Sequence, residues 1–179
     1  MVQFTRSFFS LCLIAASFAL PTKRTVAQVE ADIASVSSQV TTLDNDIKGF
    51  PASGLLGALN IDTAANTLES RLNTATSDVK ANGALDEADA TTILNSVQAI
   101  EPVILDALSR LAADEPSAAA LPIPGVPGLI LSELQTLKTD ADAFFAALIA
   151  AVPADLQAEA TTIQTNIDAG FASAIAAYS

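Results

Sequence analysis

The chain has 179 residues, of which 51% are apolar, 5% aromatic and 16% charged. Eight basic residues stand against twenty acidic ones, a net charge of −12, which excludes charge-driven binding to nucleic acids or to anionic lipid headgroups. The sequence has no His and no Trp, and its single Cys is Cys12. This composition excludes a disulfide framework, a Cys/His metal site and a His-based catalytic triad.

The N-terminus has the pattern of a secretory signal peptide. Arg6 gives a positive start, and residues 8–20 form an apolar stretch that is too short to span a bilayer comfortably. Ser17 and Ala19 are the small residues that signal peptidase requires. We therefore predict a signal peptide over residues 1–19, cleaved after Ala19, and a secreted, extracellular protein with no transmembrane segment.

A dibasic pair, Lys23-Arg24, follows the predicted cleavage site. It resembles a kexin-type processing site, and the alternative is two solvated charges near an N-terminus. Processing after Arg24 would make residues 20–24 a short pro-segment and residues 25–179 a single mature domain. That domain would carry five basic and twenty acidic residues, a net charge of −15, and no thiol.

Apolar residues predict two helices in the first third of this domain. From Val26 to Ile47 they recur at spacings of three and four, with Thr25 as a cap and Gly49 at the end. A second pattern runs from Ile61 and stops near residues 82–83. Leu55, Leu56 and Leu59 are a candidate extension of this second helix towards its N-terminus.

Three further helices are predicted in the remaining residues. The third begins after Asp86 and carries Pro102, where we expect a kink or a short break. We predict that residues 114–128 form the longest irregular segment. A fourth helix starts at about Ile130, and Pro153 would end it and occupy the first position of the fifth. No segment shows strand-like alternation between turns, so the fold class is all-α, an antiparallel up-and-down bundle of about five amphipathic helices.

The residue types do not favour an enzyme. A serine nucleophile would have no His as its base, and the paired carboxylates suit helix caps and solvated faces. No glycine-rich phosphate loop and no calcium-binding loop occurs. We expect no catalytic residues, no cofactor and no metal site.

The candidate contact residues are apolar. The proline-rich segment 121–129 is unusual because loops normally run over the surface and are polar. Its apolar side chains either pack over the end of the bundle or form a lip that contacts a surface or a lipid. Phe144 and Phe145 are adjacent and point about 100° apart, so they need a wide buried face, a cavity or solvent. The candidates are Leu121, Ile123, Val126, Leu129, Phe144 and Phe145.

Several features together resemble the fungal hydrophobic surface-binding protein A family, which includes cell-wall galactomannoprotein-like proteins. The resemblance covers the mature domain as well as the leader. It is carried by the signal peptide, Lys23-Arg24, the Ile/Val heptads with Asp32 and Leu43-Asp44, the break at Phe50, the helix start at Asp86, and the closing segment Phe171–Tyr178.

The resemblance implies a secreted, helical, non-enzymatic protein, with the cell wall as one setting. Two functions follow from it. The first is adsorption to hydrophobic solid surfaces, with recruitment of secreted esterases or cutinases to them. The second is a carrier that holds a fatty acid or another long-chain lipid in an apolar pocket between helices. An adsorber needs an exposed apolar patch, whereas a carrier needs an internal cavity.

Overall fold

The computed structural model describes residues 25–179, which contain no strand. The predicted leader, with Ala19, Lys23 and Arg24, lies outside the described residues. No helix within residues 25–179 combines the length and hydropathy needed to cross a bilayer. The helices are α1 (Val26–Gly49), α2 (Gly54–Asn82), α3 (Glu87–Ala113), the short α4 (Glu115–Ala119), α5 (Val126–Ala151) and α6 (Gln157–Ala177).

The five long helices form a closed ring. Helix α1 packs on α2 and α3, α6 packs on α3 and α5, and α5 packs on α2. Long helices that follow one another in the sequence run in opposite directions, which confirms the predicted up-and-down bundle. Some neighbours in the ring are parallel, because α2 lies beside α5 rather than beside α3. Each long helix therefore turns one face towards a common centre.

The helix starts follow the predicted capping chemistry. The Thr25 side chain accepts a hydrogen bond from the Gln28 backbone N–H at 3.3 Å, and the Asp86 carboxylate accepts one from Asp89 at 2.9 Å. Each satisfies an N–H that has no partner within its own helix. Gly83 ends α2 with φ +79°, a conformation that glycine adopts without strain.

The structure corrects two predictions about prolines. The short break that was the alternative to a kink at Pro102 is absent, because buried apolar residues on both sides of Pro102 hold α3 against its neighbours. Pro153 does not begin the last helix. It lies in a turn in which the Leu156 N–H donates to the Pro153 carbonyl at 3.0 Å, and α6 begins only at Gln157.

The segment 114–128 is also more regular than predicted. Pro116 stands in the first turn of α4 and Pro127 in the first turn of α5, where the missing proline N–H would have no helical partner in any case. Only residues 120–125 lie between these two helices. The prolines thus start helices here instead of marking one long loop.

Candidate functional site

The centre of the ring contains an apolar cavity of about 290 Å³. This volume is just below the usual range of small-molecule sites, about 300–1,000 Å³. All five long helices contribute to its wall. The lining side chains include Val40, Leu43 and Ile47 from α1, Ala65 and Leu68 from α2, Ala107, Leu108 and Leu111 from α3, Ile130, Leu134 and Leu137 from α5, and Phe171 from α6.

A second apolar cavity of about 70 Å³ lies next to the larger one. The two cavities adjoin each other, since both are lined by Val40, Leu68, Ile104, Leu137 and Phe171. On α5 the lining residues extend from Val126 to Phe145, about 28 Å along the helix axis. A bilayer core of about 30 Å is two acyl chains thick, so this distance accommodates one extended long chain.

Small side chains explain why the centre is not filled. Ala58, Ala65 and Ala107 line the larger cavity, and Ala141 lines the smaller one. Protein interiors are normally close-packed, and an alanine leaves a gap where a larger residue would meet its neighbour across the ring. The alanine-rich helix faces therefore produce a hollow core.

The larger cavity opens between the N-terminal turns of α2 and α5. The exposed large apolar residues of the described chain all lie there, and we call this group the rim: Leu55, Leu56, Leu59, Ile123 and Leu129. Four of them line the cavity, and Leu56 adjoins Leu55 in the sequence. Leu56 and Leu129 are the most exposed, at 72% and 63%. The rim thus joins an exposed apolar patch to the interior.

The structure divides the candidate contact residues into three groups. Ile123 and Leu129 belong to the rim, whereas Val126 is buried and lines the larger cavity. Leu121 is half-buried, packs against the core and lines neither cavity. The segment 121–129 is therefore partly a lip and partly core.

Phe144 and Phe145 are both buried and line the smaller cavity. Their ring centroids are 5.7 Å apart and the ring planes meet at 72°, an edge-to-face arrangement that aromatic pairs prefer. The wide face that two adjacent rings require is provided because α5 contacts both α2 and α6.

Leu55, Leu56 and Leu59 belong to the site, although the sequence pattern predicts them only as a helix extension. Three leucines within the first six residues of a helix, two of them adjacent, cannot all lie on one narrow buried stripe. This excess of apolar side chains was the available signal of an exposed group.

Two ionisable side chains line the larger cavity, and both are acidic: Asp62 on α2 and Glu133 on α5. Glu133 meets Glu69 of α2 across the contact between these helices. Burial, followed by the Glu133 carboxylate, raises the pKa of Glu69 to about 7, and Asp140 and Asp62 add to this effect. Glu69 and Glu133 therefore form a carboxyl pair that retains a proton near neutral pH.

The sequence profile of the family described as hydrophobic surface binding protein A matches residues 26–150. Among curated protein sequences, no significant match is found.

Solved structures resemble the whole bundle. The crystal structure of Afmp4p in complex with palmitic acid matches with a TM-score of 0.80 and 32% identity, over 87% of this chain and 100% of that one. Ligand binding domain 1 of the Penicillium marneffei MP1 protein, complexed with arachidonic acids, matches with a TM-score of 0.78 and 15% identity, over 87% of this chain and 99% of that one. Domain 2 of the same protein, complexed with multiple arachidonic acids, matches with a TM-score of 0.78 and 18% identity, over 88% of this chain and 98% of that one.

Proposed function

Because this chain belongs to the hydrophobic surface binding protein A family, we propose that residues 25–179 bind long-chain lipids, fatty acids among them, inside the bundle. The observation that carries the proposal is the larger cavity, which is apolar, open at the rim and adjacent to a second apolar cavity. The role is binding rather than catalysis. The proposal assumes the secreted location that the sequence predicts.

The energetics of the site support this function. Burying apolar area contributes about 25 cal/mol per Å², so about 300 Å² of acyl chain would contribute roughly 7 kcal/mol before the costs of ordering and association. The complex of Afmp4p with palmitic acid, at 32% identity, supports the same class of ligand.

Two experiments test the proposal. Native mass spectrometry of the secreted protein should detect bound lipid by mass. In addition, the uncharged fluorescent probe N-phenyl-1-naphthylamine should bind and be displaced by palmitic acid at pH 5. Ala107→Phe and Ala65→Phe place a ring in the larger cavity from two different helices, and each should weaken probe binding at least tenfold. The matched control is Ala88→Phe, at an exposed position of α3. Unchanged binding in both cavity variants would contradict the proposal.

A second function, adsorption to hydrophobic solid surfaces, is favoured by the rim. Monomeric proteins seldom expose contiguous large apolar patches, and those that do commonly use them for contact. Here the patch surrounds the cavity opening, so the same residues could contact a surface and admit a lipid from it. The two functions separate experimentally at Leu56, which is the rim residue that lines neither cavity.

A further inference from the structure

The two cavities are stacked end to end along the bundle. Along α1 the lining residues of the smaller cavity come before Val40 and those of the larger cavity come after it. Along α5, which runs the opposite way, the larger cavity comes first and the smaller one follows Leu137. Each long helix contributes one side chain to both walls, and we call this group the dividing layer: Val40, Leu68, Ile104, Leu137 and Phe171. A single layer of side chains thus separates two compartments of one apolar pocket.

This pocket has its mouth at one end and close packing at the other. The rim surrounds the larger cavity. Past the smaller cavity stand side chains that are at most 1% exposed, among them Val29 on α1, Ile93 on α3 and Leu148 on α5. Each lies about one helical turn beyond the last lining residue of its helix. Because this end is close-packed, the smaller cavity is the deepest point that a lipid entering at the rim can reach.

The larger cavity alone is short for a long acyl chain. On α3, which carries no rim residue, its lining runs from Ile104 to Leu111, about 10 Å along the helix axis. One acyl chain measures about 15 Å, half the thickness of a bilayer core. With the smaller cavity included, the lining of α3 runs from Val97 to Leu111, about 21 Å. The end of a long chain therefore needs the smaller cavity.

The smaller cavity suits the hydrocarbon end of such a ligand. Its wall consists of aliphatic and aromatic side chains apart from Ser37. A carboxylate placed there would lose its hydration without meeting a cationic side chain in the wall, whereas a carboxylate at the rim stays in contact with water. The polar end of the ligand therefore belongs at the rim and the methyl end in the interior.

We propose that the smaller cavity receives the methyl end of a long-chain lipid and sets the chain length that the pocket prefers, with Ala141 as the residue that keeps this compartment open. This inference rests on the proposed lipid-binding function and specifies the chain lengths that it favours. Ala141 lies about one turn beyond Leu137 on α5, is 8% exposed and lines the smaller cavity. The dividing layer consists of hydrocarbon side chains held by van der Waals contacts, so changes of rotamer let an acyl chain pass.

The experiment measures how lauric acid and palmitic acid displace N-phenyl-1-naphthylamine from the protein at pH 7.5, below micelle-forming concentrations. In the wild type we expect palmitic acid to bind at least tenfold more tightly, because each further buried methylene strengthens binding. Ala141→Leu places an isobutyl group in the smaller cavity, and should reduce this preference to less than threefold while lauric acid binds as in the wild type. The matched control is Ala146→Leu, at an exposed position of α5, which should keep the wild-type preference.

A second pair of variants makes the result independent of whether Ala141→Leu folds. Ser37→Leu fills the smaller cavity from α1, and Ser38→Leu at the neighbouring exposed position is its control. An unchanged preference for palmitic acid in the cavity variants, or an equal weakening of both acids, would overturn the chain-length inference and leave lipid binding intact. Failure of both acids to bind the wild type would instead overturn the proposed function itself.

Discussion

The Tyr178 hydroxyl donates a hydrogen bond of 2.8 Å to the backbone carbonyl of Leu111, and so ties the end of α6 to the last turn of α3. The same carbonyl also accepts a hydrogen bond from the Asp114 backbone N–H at 3.2 Å, so the phenol is a second donor to it at the buried end of the helix. Burial, followed by the nearby Asp114 and Glu115 carboxylates, raises the pKa of Tyr178 and keeps this donor protonated.

Removing the Tyr178 hydroxyl should destabilise the bundle. In Tyr178→Phe the ring remains while the Leu111 carbonyl keeps only the Asp114 N–H as its donor, and we expect a loss of about 0.5–1.5 kcal/mol in the free energy of unfolding. Urea denaturation monitored by circular dichroism measures it. The control is Ser179→Ala, because that exposed hydroxyl donates to the Ile175 carbonyl at the surface. Equal stability of Tyr178→Phe and the wild type would show that the hydrogen bond adds nothing.

The carboxyl pair makes stability depend on pH in a defined direction. An unfolded Glu titrates at about 4.3, whereas Glu69 in the folded chain titrates at about 7, so between these values the native state holds the extra proton. The protonated Glu69 therefore stabilises the folded chain fully below about pH 4.3. This contribution to the free energy of unfolding is lost as the pH rises through 7.

Glu69→Gln should remove this loss, because a neutral amide replaces the titrating group. Above pH 7 we expect the variant to be more stable than the wild type by roughly 1–2 kcal/mol, a figure reduced for solvent screening of a half-buried group. Chemical denaturation from pH 4.5 to 8.5 gives both profiles. Glu30→Gln serves as the control and should follow the wild-type profile. If the stability of Glu69→Gln and that of the wild type changed with pH in the same way, Glu69 would not be the group responsible for the pH dependence.

The rim should determine adsorption without contributing to stability. We expect Leu56→Ser combined with Leu129→Ser to reduce retention on an alkyl-coated surface severalfold, with the free energy of unfolding changed by less than about 0.5 kcal/mol. Both side chains are mostly exposed. Retention by the wild type should not weaken as salt rises, since charge does not drive it.

The control for the rim is Ala81→Ser with Ala84→Ser, at exposed positions near the opposite end of the bundle. It should retain full adsorption. Val126→Ser is unsuitable as a rim variant, because Val126 is only 7% exposed and its loss would destabilise the core. If the rim variant is retained as strongly as the wild type, another surface makes the contact.

Ligand binding should raise the melting temperature. A lipid at one hundred times its dissociation constant stabilises the native state by about 2.7 kcal/mol, which for a domain of this size shifts the midpoint by about 5–10 °C. Scanning calorimetry with 1-hexadecanol at pH 5 measures the shift. Ala107→Phe should show a much smaller shift at the same lipid concentration, and a full shift in that variant would place the lipid outside the larger cavity.

The sequence predicts the helices well because their signals are local. Thr25 and Asp86 cap through residues three positions away, and the apolar spacing from Val26 to Ile47 describes a single face. The prolines were harder to predict because their effect depends on their position within a helix and on packing. Pro102 is held inside α3 by neighbouring helices, which the local pattern does not reveal.

The cavity and its carboxyl pair could not be predicted in this way. Glu69 and Glu133 are far apart in the sequence and meet because α2 lies parallel to α5 in the ring. Whether Ala65 or Ala107 leaves a gap likewise depends on the side chains that the other helices place opposite it in the bundle. Leu121, Ile123, Val126 and Leu129 look equivalent in the sequence, and only the path of the chain into α5 separates buried from exposed.

Because the centre of the bundle is hollow, the folded and unfolded states differ in molecular volume. Side chains leave about 290 and 70 Å³ unfilled, and unfolding eliminates such voids, so the unfolded chain occupies less volume together with its water than the folded one does. Hydrostatic pressure therefore favours unfolding of the lipid-free bundle. An acyl chain that fills the same space removes most of this volume difference, and the loaded protein becomes the less compressible and more pressure-resistant of the two.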